Sequence, residues 1–277
     1  MTDQPRLTLD GVSIPQLGFG TWNLTPEDAR RMVGAALDIG YRHIDTAKIY
    51  SNEEAVGQAI AESGVPRGDV FLTTKIWVSD FAEGDLQRAA EEAVKRLGTI
   101  PDLLLLHWPK PTPDFEETLK ALNEAKARGF TRHIGLSNFP SAEWKRAQSL
   151  SEARLVTNQV EHHPYLAIRA LKATAAELGS SITAWSPLAQ GKVADDAVLI
   201  GIGAAHGKTA AQVTLRWLIQ NGVIAIPRSS KERRAKESFD IFDFDLSADE
   251  MARIDGLARA DGRLGDWIDP AFKWDRD

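Results

Sequence analysis

Short apolar runs, typical of buried strands, alternate along this chain with longer amphipathic segments typical of helices. Eight such runs occur, at residues 16–20, 42–46, 70–75, 102–107, 132–136, 155–160, 181–185 and 223–226. The helical segments between them include residues 52–62, 83–97, 115–128, 140–150, 167–178 and 209–220. Ahead of the first run, Asp10-Gly11 separates two alternating stretches, and this dipeptide favours a tight hairpin turn.

Local signals mark several helix boundaries. Thr25, Asp114 and Thr209 each precede a helical segment and carry the side-chain oxygen that an N-cap uses. Gly129 and Gly179 follow helical segments, where glycine commonly ends a helix.

The spacing of the strands predicts the fold. The last residues of four successive strands, Asp45, Lys75, His107 and Leu136, are about thirty residues apart, the length of one βα unit. Eight strand–helix units without a linker predict one α/β domain over residues 1–277, a (β/α)8 TIM barrel with an N-terminal β-hairpin closing the bottom. The alternative is an open doubly wound sheet, but it requires a topological switch point that the pattern does not locate.

Polar residues that directly follow the apolar runs are the candidates for chemistry, because function collects at the carboxyl ends of barrel strands. They are Asp45, Lys75, His107, Ser137, Asn138, Gln159, Trp185, Ser186, Pro227 and Arg228. The opposite ends carry plainer residues such as Asp69, Asp102 and Arg154.

Four residues at these strand ends predict a proton-transfer site. A free phenol has a pKa of about 10, and a nearby ammonium favours its ionised form. Lys75 is therefore expected to lower the pKa of Tyr50, with Asp45 holding Lys75 and His107 donating a hydrogen bond to a carbonyl oxygen. An Asp–Lys pair alone is more often a structural ion pair, but the four residues together favour carbonyl reduction.

Composition narrows the function classes. The net charge of −6 argues against a nucleic-acid or anionic-membrane partner, and the absence of cysteine excludes disulfides and thiolate chemistry. There is neither a signal-peptide pattern at the N-terminus nor an apolar run long enough for a membrane span. We therefore expect a cytoplasmic protein without a membrane partner, and a monomer.

The chain resembles the aldo-keto reductase family over essentially its full length, on the motifs LGFGTW (17–22), GYRHIDTA (40–47) with Tyr50, NE (52–53), TK (74–75), LHWP (106–109), IGLSNF (134–139), NQ (158–159), SPL (186–188) and IPRS (226–229). Within the family, the ending GRL (262–264) with Trp274-Asp275 resembles bacterial 2,5-diketo-D-gluconate reductases, mainly the B type, which also reduce methylglyoxal. The resemblance implies that Tyr50 is the proton donor, Lys75 and Asp45 tune its pKa, and His107 orients the substrate.

The resemblance also implies a nicotinamide cofactor across the barrel mouth. The implied contacts are Ser137, Asn138 and Gln159 for the carboxamide, Trp185 for stacking on the ring, and Ser186, Pro187, Leu188, Gln190 and Gly191 for the pyrophosphate. Further cofactor contacts are expected at Gly20, Thr21, Trp22, Pro227, Arg228, Ser229, Ser230, Arg234, Glu237 and Ser238.

The segment from Arg228 to Arg234 suggests which cofactor this is. It holds four cations and two hydroxyls, and phosphates often bind after the last strands of a barrel. Arg228 and Arg234 match family positions that contact the 2′-phosphate, so NADPH is the expected cofactor. The family usually has Lys in place of Arg228, so the geometry of that contact is open. A solvated helix start is the plainer interpretation of the same charges.

The substrate is expected to lie among aromatic residues. Trp22, Trp77 and Trp108 follow strand ends and, with Ile49 and His107, form the expected apolar collar; Trp267 or Phe272 is expected to close one wall. Trp144 and Trp217 fall on helices and are expected to be packing or surface residues. Lys48 is expected to point to solvent, and the pair His162-His163 to make structural hydrogen bonds, with no metal in the site.

The function that we predict is NADPH-dependent reduction of small aldehydes and ketones, including keto sugars such as 2,5-diketo-D-gluconate, keto acids and methylglyoxal. Two alternatives stay open: a regulatory subunit that binds NADPH as a redox sensor, and a barrel isomerase whose phosphorylated substrate binds the basic segment.

Overall fold

Eight parallel strands pair in chain order, and the last returns to the first to close a barrel. The computed structural model describes residues 4–110, 114–265 and 273–275. Parallel bridges join Leu17 to Ala225 and Gly20 to Arg228, so the sheet has neighbours at both edges. The barrel strands are β3 (Phe19–Gly20), β4 (His43–Asp45), β5 (Phe71–Ile76), β6 (Leu103–Leu106), β7 (His133–Ser137), β8 (Leu155–Glu161), β9 (Ser181–Trp185) and β10 (Ile224–Ala225). The predicted barrel is confirmed.

Helices surround the barrel, and three of them begin at the predicted caps. Thr25, Asp114 and Thr209 each accept a hydrogen bond from a backbone N–H in the first turn of the helix that follows. The helices are α1 (Pro26–Ile39), α2 (Glu53–Glu62), α3 (Asp85–Leu97), α4 (Phe115–Ala127), α5 (Ser141–Leu150), α6 (Arg169–Leu178), α7 (Ala197–His206), α8 (Ala210–Gln220), α9 (Glu232–Phe239) and α10 (Ala248–Asp255). Helix α7 is not among the predicted segments. No helix within the described ranges is long and apolar enough to cross a bilayer.

A hairpin closes the bottom of the barrel, as predicted. Strands β1 (Arg6–Leu9) and β2 (Val12–Pro15) pair antiparallel across a turn in which Asp10 and Gly11 both have positive φ. That turn matches the right-handed twist of the strands and is why Gly follows Asp here. Val12 and Ile14 pack with a separate apolar cluster inside the barrel, formed by Phe71, Leu103, Leu105, Val156 and Ile224.

Alternation along the strands places the chemistry above this plug. Side chains two positions apart point to the same face of a strand. Lys75 therefore lies on the inner face of β5 with Phe71, and His107 follows Leu103 and Leu105 on the inner face of β6. The interior is apolar at the bottom and polar at the carboxyl ends of the strands, which is where a site can be built.

Asp102, at the bottom of β6, is more than the plain residue that the sequence suggested. Its buried carboxylate receives hydrogen bonds from Arg67, Arg132 and the backbone N–H of Leu72. The group therefore joins three segments at the end of the barrel opposite to the polar one.

Candidate active site

Asp45 and Lys75 form a buried ion pair between neighbouring strands. Nζ of Lys75 donates to Oδ1 of Asp45 at 2.6 Å and to the carbonyl of Thr46 at 2.9 Å. Burial lowers the pKa of Lys75 below its usual 10.5, and the carboxylate of Asp45 works in the opposite direction. The second oxygen of Asp45 accepts a hydrogen bond from Nε2 of Gln159 at 2.7 Å. Both oxygens of Asp45 are thus bound by neighbours, and the carboxylate serves to hold Lys75.

Tyr50 ends a short 3₁₀ turn, Lys48–Tyr50, that follows β4. Nζ of Lys75 lies 5.1 Å from the centroid of its ring, and the ring of His107 lies 5.7 Å away at 75° to it. Burial raises the pKa of Tyr50 well above 10, and the charge of Asp45 adds to the increase. The pKa of Tyr50 is thus shifted in the direction opposite to the expected lowering, and burial is the largest cause. The phenol keeps its proton.

His107 is a neutral imidazole in this site. Burial lowers its pKa well below 6.5, and the neighbouring charge of Lys75 lowers it further. A neutral imidazole carries one N–H donor, so it can bind a carbonyl oxygen without bringing a charge. Its ring packs edge-on against Trp77, with centroids 5.2 Å apart. Its Nδ1 is buried and has no hydrogen-bond partner within the described part of the chain.

A cavity of about 920 Å³ runs across the carboxyl ends of the strands and brings together most of the predicted site. Trp22, Ile49, Tyr50, Trp77, His107 and Trp108 line one end. The middle and the other end are lined by Gly20, Asp45, Ser137, Asn138, Gln159, Trp185, Ser186, Pro187, Leu188, Gln190, Gly191, Pro227, Arg228, Ser229, Arg234 and Ser238. The volume is at the upper end of the range of ligand pockets and suits a long ligand.

Three predicted contacts do not join this lining. Thr21 is fully buried, and its hydroxyl donates to the carbonyl of Asp45. Ser230 is exposed outside the cavity, and the carboxylate of Glu237 accepts a hydrogen bond from Thr209. Trp267 and Phe272, one of which was expected to close a wall of the pocket, lie outside the described residues.

The polar residues expected to hold a carboxamide are bonded to one another. Nδ2 of Asn138 donates to the carbonyl of His107 and to Oγ of Ser137, while its Oδ1 accepts from Nε1 of Trp185 at 2.8 Å. Ser137 donates in turn to the carbonyl of Gln159. A carbonyl oxygen has two lone pairs, so Asn138 retains one acceptor site. This part of the wall suits a group that donates hydrogen bonds, as a carboxamide NH₂ does.

The loop after β9 has an unusual backbone. Ser186, Ala189, Gln190 and Gly191 all have positive φ, between 48° and 95°. Such conformations can form concavities suited to anions. The N–H groups of Ala189 and Gly191 donate within the loop, to the carbonyls of Ser186 and Leu188, and so close its turns. The loop lines the cavity between Trp185 and the basic segment, which fits a pyrophosphate there.

At the basic end, Arg228 and Arg234 differ in their surroundings. The guanidinium of Arg228 donates to the carbonyls of Trp22 and Asn23, at 3.1 and 2.6 Å. Arg228 therefore fixes the loop after β3, a role that its match to the family's Lys did not suggest. Arg234 is exposed and lines the cavity. The residues present thus offer an aromatic pocket, an amide wall, an anion-binding loop and cations in one line, which fits a dinucleotide carrying an additional phosphate.

Sequence reasoning missed several residues that shape the site. Residues 23–26, with Ser51 and Ile226, also line the cavity. Residues 23–26 directly follow Trp22 in the loop after β3. They could have been predicted by considering the whole loop after the strand and not only its first residues. Lys48 was expected to point to solvent, but its Nζ lies 2.6 Å from Oδ2 of Asp80 and forms an ion pair with it. The sequence carries no signal for that pair. Trp144 and Trp217 are buried, which decides between the packing and surface roles that the sequence left open.

Known families, curated sequences and solved structures all include proteins similar to this chain. Residues 16–259 match the aldo/keto reductase family. The glyoxal reductase of Bacillus subtilis (strain 168) is 42% identical over 258 residues, which cover 92% of this chain and 93% of that protein. The crystal structure of a putative 2,5-diketo-D-gluconic acid reductase B superposes with a TM-score of 0.96 at 45% identity, covering 99% of this chain and 98% of the other. A point mutant of Gox0644, crystallised in complex with NADPH, has a TM-score of 0.90 at 38% identity, with coverage of 95% and 97%.

Proposed function

This chain belongs to the aldo/keto reductase family, and we propose that it reduces small aldehydes and ketones with NADPH, Tyr50 supplying the proton. The observation that carries the proposal is the arrangement of Tyr50, His107 and the Asp45–Lys75 pair at the aromatic end of the cavity. Two neutral hydrogen-bond donors border the space where a carbonyl oxygen would lie, with a buried cation behind them.

NADPH, when bound, supplies the hydride that this chain lacks. Ser137, Asn138, Gln159 and Trp185 would hold the nicotinamide end, residues 186–191 the pyrophosphate, and Arg234 with Ser229 and Ser238 the adenosine phosphate. These assignments rest on the chemistry of the lining and on the similarity to a protein crystallised with NADPH.

Tyr50 and His107 handle the substrate oxygen. Both donate hydrogen bonds to it, which stabilises the negative charge that develops there. As that charge grows, the oxygen becomes more basic than the phenol, and the proton of Tyr50 transfers. Lys75, 5.1 Å from the ring centroid, then stabilises the phenolate that is left behind. The high pKa of the resting phenol is consistent with a donor that waits for the oxygen to become basic.

The charges around the cavity favour uncharged substrates. The aromatic end is lined by three tryptophans and Ile49, and Trp22 and Ile49 are nearly half exposed, at 48% and 47%. Arg228 lies beside Trp22, but its guanidinium is bonded to the carbonyls of Trp22 and Asn23, and the ammonium of Lys75 is paired with Asp45. Among the described residues, a substrate carboxylate at the aromatic end would therefore lose its hydration without gaining a cation that is not already bonded to a neighbour. Within the proposed range of methylglyoxal, keto sugars and keto acids, methylglyoxal-like dicarbonyls should therefore be reduced best.

The test is NADPH oxidation by the purified protein with matched substrate pairs. Methylglyoxal and pyruvate differ only in replacing the aldehyde with a carboxylate, and phenylglyoxal and phenylglyoxylate form a larger pair. We expect kcat/KM to be higher for the aldehyde of each pair and intermediate for 2,5-diketo-D-gluconate. Tight NADPH binding without oxidation by any carbonyl compound would favour a regulatory role, and no NADPH binding at all would favour the isomerase.

A further inference from the structure

Glu161 is a fully buried carboxylate to which the proposed chemistry gives no role. It is the last residue of β8, and its side chain has no exposed area. Burying an unpaired carboxylate is costly, so its partners identify what it does. Nε2 of His163 lies 2.9 Å from Oε1, which explains one of the two paired histidines by a hydrogen bond.

The other partners of Glu161 come from the end of the chain. The backbone N–H of Leu264 donates to Oε1 at 2.6 Å, and that of Gly265 donates to Oε2 at 2.9 Å. A guanidinium nitrogen of Arg263 lies 3.8 Å from Oε2. The side chain of Glu161 thus holds residues 263–265, which lie about a hundred positions further along the chain, over the carboxyl end of β8.

The segment 263–265 rests directly against Trp185. Glu161 and Trp185 lie side by side as register partners on β8 and β9. The segment that Glu161 holds therefore covers Trp185. A Cβ built on Gly265 would lie 2.6 Å from Cη2 of Trp185 and 2.9 Å from Oε2 of Glu161, both closer than real Cβ contacts come. Gly265 is required here for space. On its other side, Trp185 donates through Nε1 to Asn138.

We propose that Glu161 is a positioning residue which, by holding Gly265 against the outer edge of Trp185, sets the position of that ring in the cavity and so the affinity for the nicotinamide cofactor. The inference rests on the proposed function, in which Trp185 lies against the nicotinamide. Glu161, Gly265 and Trp185 then act in series: the carboxylate of Glu161 fixes the backbone of Gly265, and that backbone fixes the ring of Trp185.

The test uses Gly265→Ala, with Gly68→Ala as its matched control. Gly68 lies in a short 3₁₀ turn on the surface, and a Cβ there meets nothing within 4 Å. The Kd of NADPH is measured by quenching of protein fluorescence, and folding is checked by circular dichroism. A methyl forced into this packed contact must displace the ring, so Gly265→Ala should raise the Kd about tenfold, whereas Gly68→Ala should leave it unchanged.

The decisive measurement repeats Gly265→Ala in a Trp185→Phe background, with the Kd read from NADPH fluorescence. Phenylalanine lacks the Cη2 atom that the methyl would meet but leaves the methyl's contact with Glu161 in place, so the added loss should be clearly smaller than in the wild-type background if the effect passes through Trp185. Glu161→Gln gives a second variant, since both carboxylate oxygens receive backbone N–H groups and an amide must face one of them. It should also raise the Kd in the wild-type background and have less effect in the Trp185→Phe background, while the exposed Glu152→Gln serves as its control.

Each result has one meaning. A wild-type protein that fails to bind NADPH would overturn the proposed function and this inference with it. A wild type that binds NADPH, with an equal loss from Gly265→Ala in both backgrounds, or with no loss, would overturn the inference alone. Equal effects of Glu161→Gln in the two backgrounds would do the same for the role of Glu161.

Discussion

Gln159 and Asp45 are 114 positions apart in sequence, yet Nε2 of Gln159 donates to Oδ2 of Asp45 at 2.7 Å. Lys75 takes the other oxygen of the same carboxylate. Asp45 is therefore oriented from both sides, with one of its oxygens bonded to Lys75 and the other to Gln159. The amide of Gln159 and the Asp45–Lys75 ion pair thus form one hydrogen-bonded network. A substitution in either part should therefore alter the geometry of the other.

Asp45→Asn should move the alkaline limb of the kcat profile to lower pH. Lys75 already has a lowered pKa because of burial, and it loses its ammonium as the pH rises through that value. Removing the charge that opposes this shift lowers the pKa further, by about one unit for each 1.4 kcal/mol of lost interaction. A full pH profile measures it, with the exposed Asp249→Asn as control. An unmoved limb would show that the charge of Lys75 is not needed in turnover.

Tyr50→Phe should abolish most turnover while leaving NADPH binding intact. General acid catalysis contributes roughly 10²–10⁴-fold, and the phenylalanine ring fills the same space without the proton. Single-turnover NADPH oxidation and a binding titration separate the two effects. Tyr165→Phe is the matched control, because its hydroxyl bonds to Asp196, away from the cavity lining. A Tyr50→Phe variant with near-wild-type kcat would refute the assigned proton donor.

Arg234→Ala should raise KM for NADPH far more than KM for NADH. A charge-assisted hydrogen bond to phosphate is worth about 1.5–3 kcal/mol, which corresponds to roughly 10–100-fold. NADH lacks that phosphate, so its KM should change little. Arg233→Ala provides the comparison, because that side chain is 82% exposed and does not line the cavity. If both cofactors are affected equally, Arg234 does not read the 2′-phosphate.

Lys48 and Asp80 should be energetically coupled. They join the turn that carries Ile49 and Tyr50 to the turn that follows Trp77, with side chains 32% and 21% exposed. For a partly exposed pair the coupling is about 0.5–1 kcal/mol, or roughly 2–5-fold in kcat/KM. Lys48→Ala and Asp80→Ala should each lower kcat/KM, and the double variant should lose less than the product. Strictly multiplicative losses would mean that the pair does not position the two turns.

Asp102→Ala should destabilise the fold without changing kcat per folded molecule. Removing the carboxylate leaves Arg67 and the Leu72 N–H without their partner in a nearly buried site, at a cost of about 3 kcal/mol. Denaturant unfolding gives the stability, and active-site titration with NADPH gives the fraction folded. The nearby, exposed Asp69→Ala should have little effect on either. An unchanged unfolding midpoint for Asp102→Ala would contradict the expectation.

Much of the barrel and the core of the site follow from local sequence. Alternation within a strand fixes which side chains face inwards, and the carboxyl ends of parallel strands meet at one face of the barrel. Asp45, Lys75 and His107 could therefore be placed together from the strand pattern alone. Helix α7 could not be predicted, because its ten residues are almost entirely apolar and lack the two-sided pattern that identifies a surface helix.

What the sequence did not reveal depends on contacts between distant segments and on depth of burial. Asp80, the partner of Lys48, lies 32 residues away in another loop. The bonds of Asn138 to His107 and Trp185, and those of Glu161 to Leu264, depend on how separate units stack. The pKa of Tyr50 rises because of how deeply the phenol is buried, which no motif records.

The hairpin at the bottom of the barrel has a kinetic consequence. Since Val12 and Ile14 fill the interior from below, the cofactor and the carbonyl compound must arrive and depart through the opposite opening. The two ligands share one cavity at that opening, so a carbonyl compound that bound first would obstruct the entry of the dinucleotide. Turnover should therefore follow a compulsory order, in which the reduced dinucleotide binds first and the oxidised one leaves last. Its steady-state signature is that the oxidised dinucleotide inhibits competitively against the reduced one, whereas the alcohol product inhibits noncompetitively against both substrates.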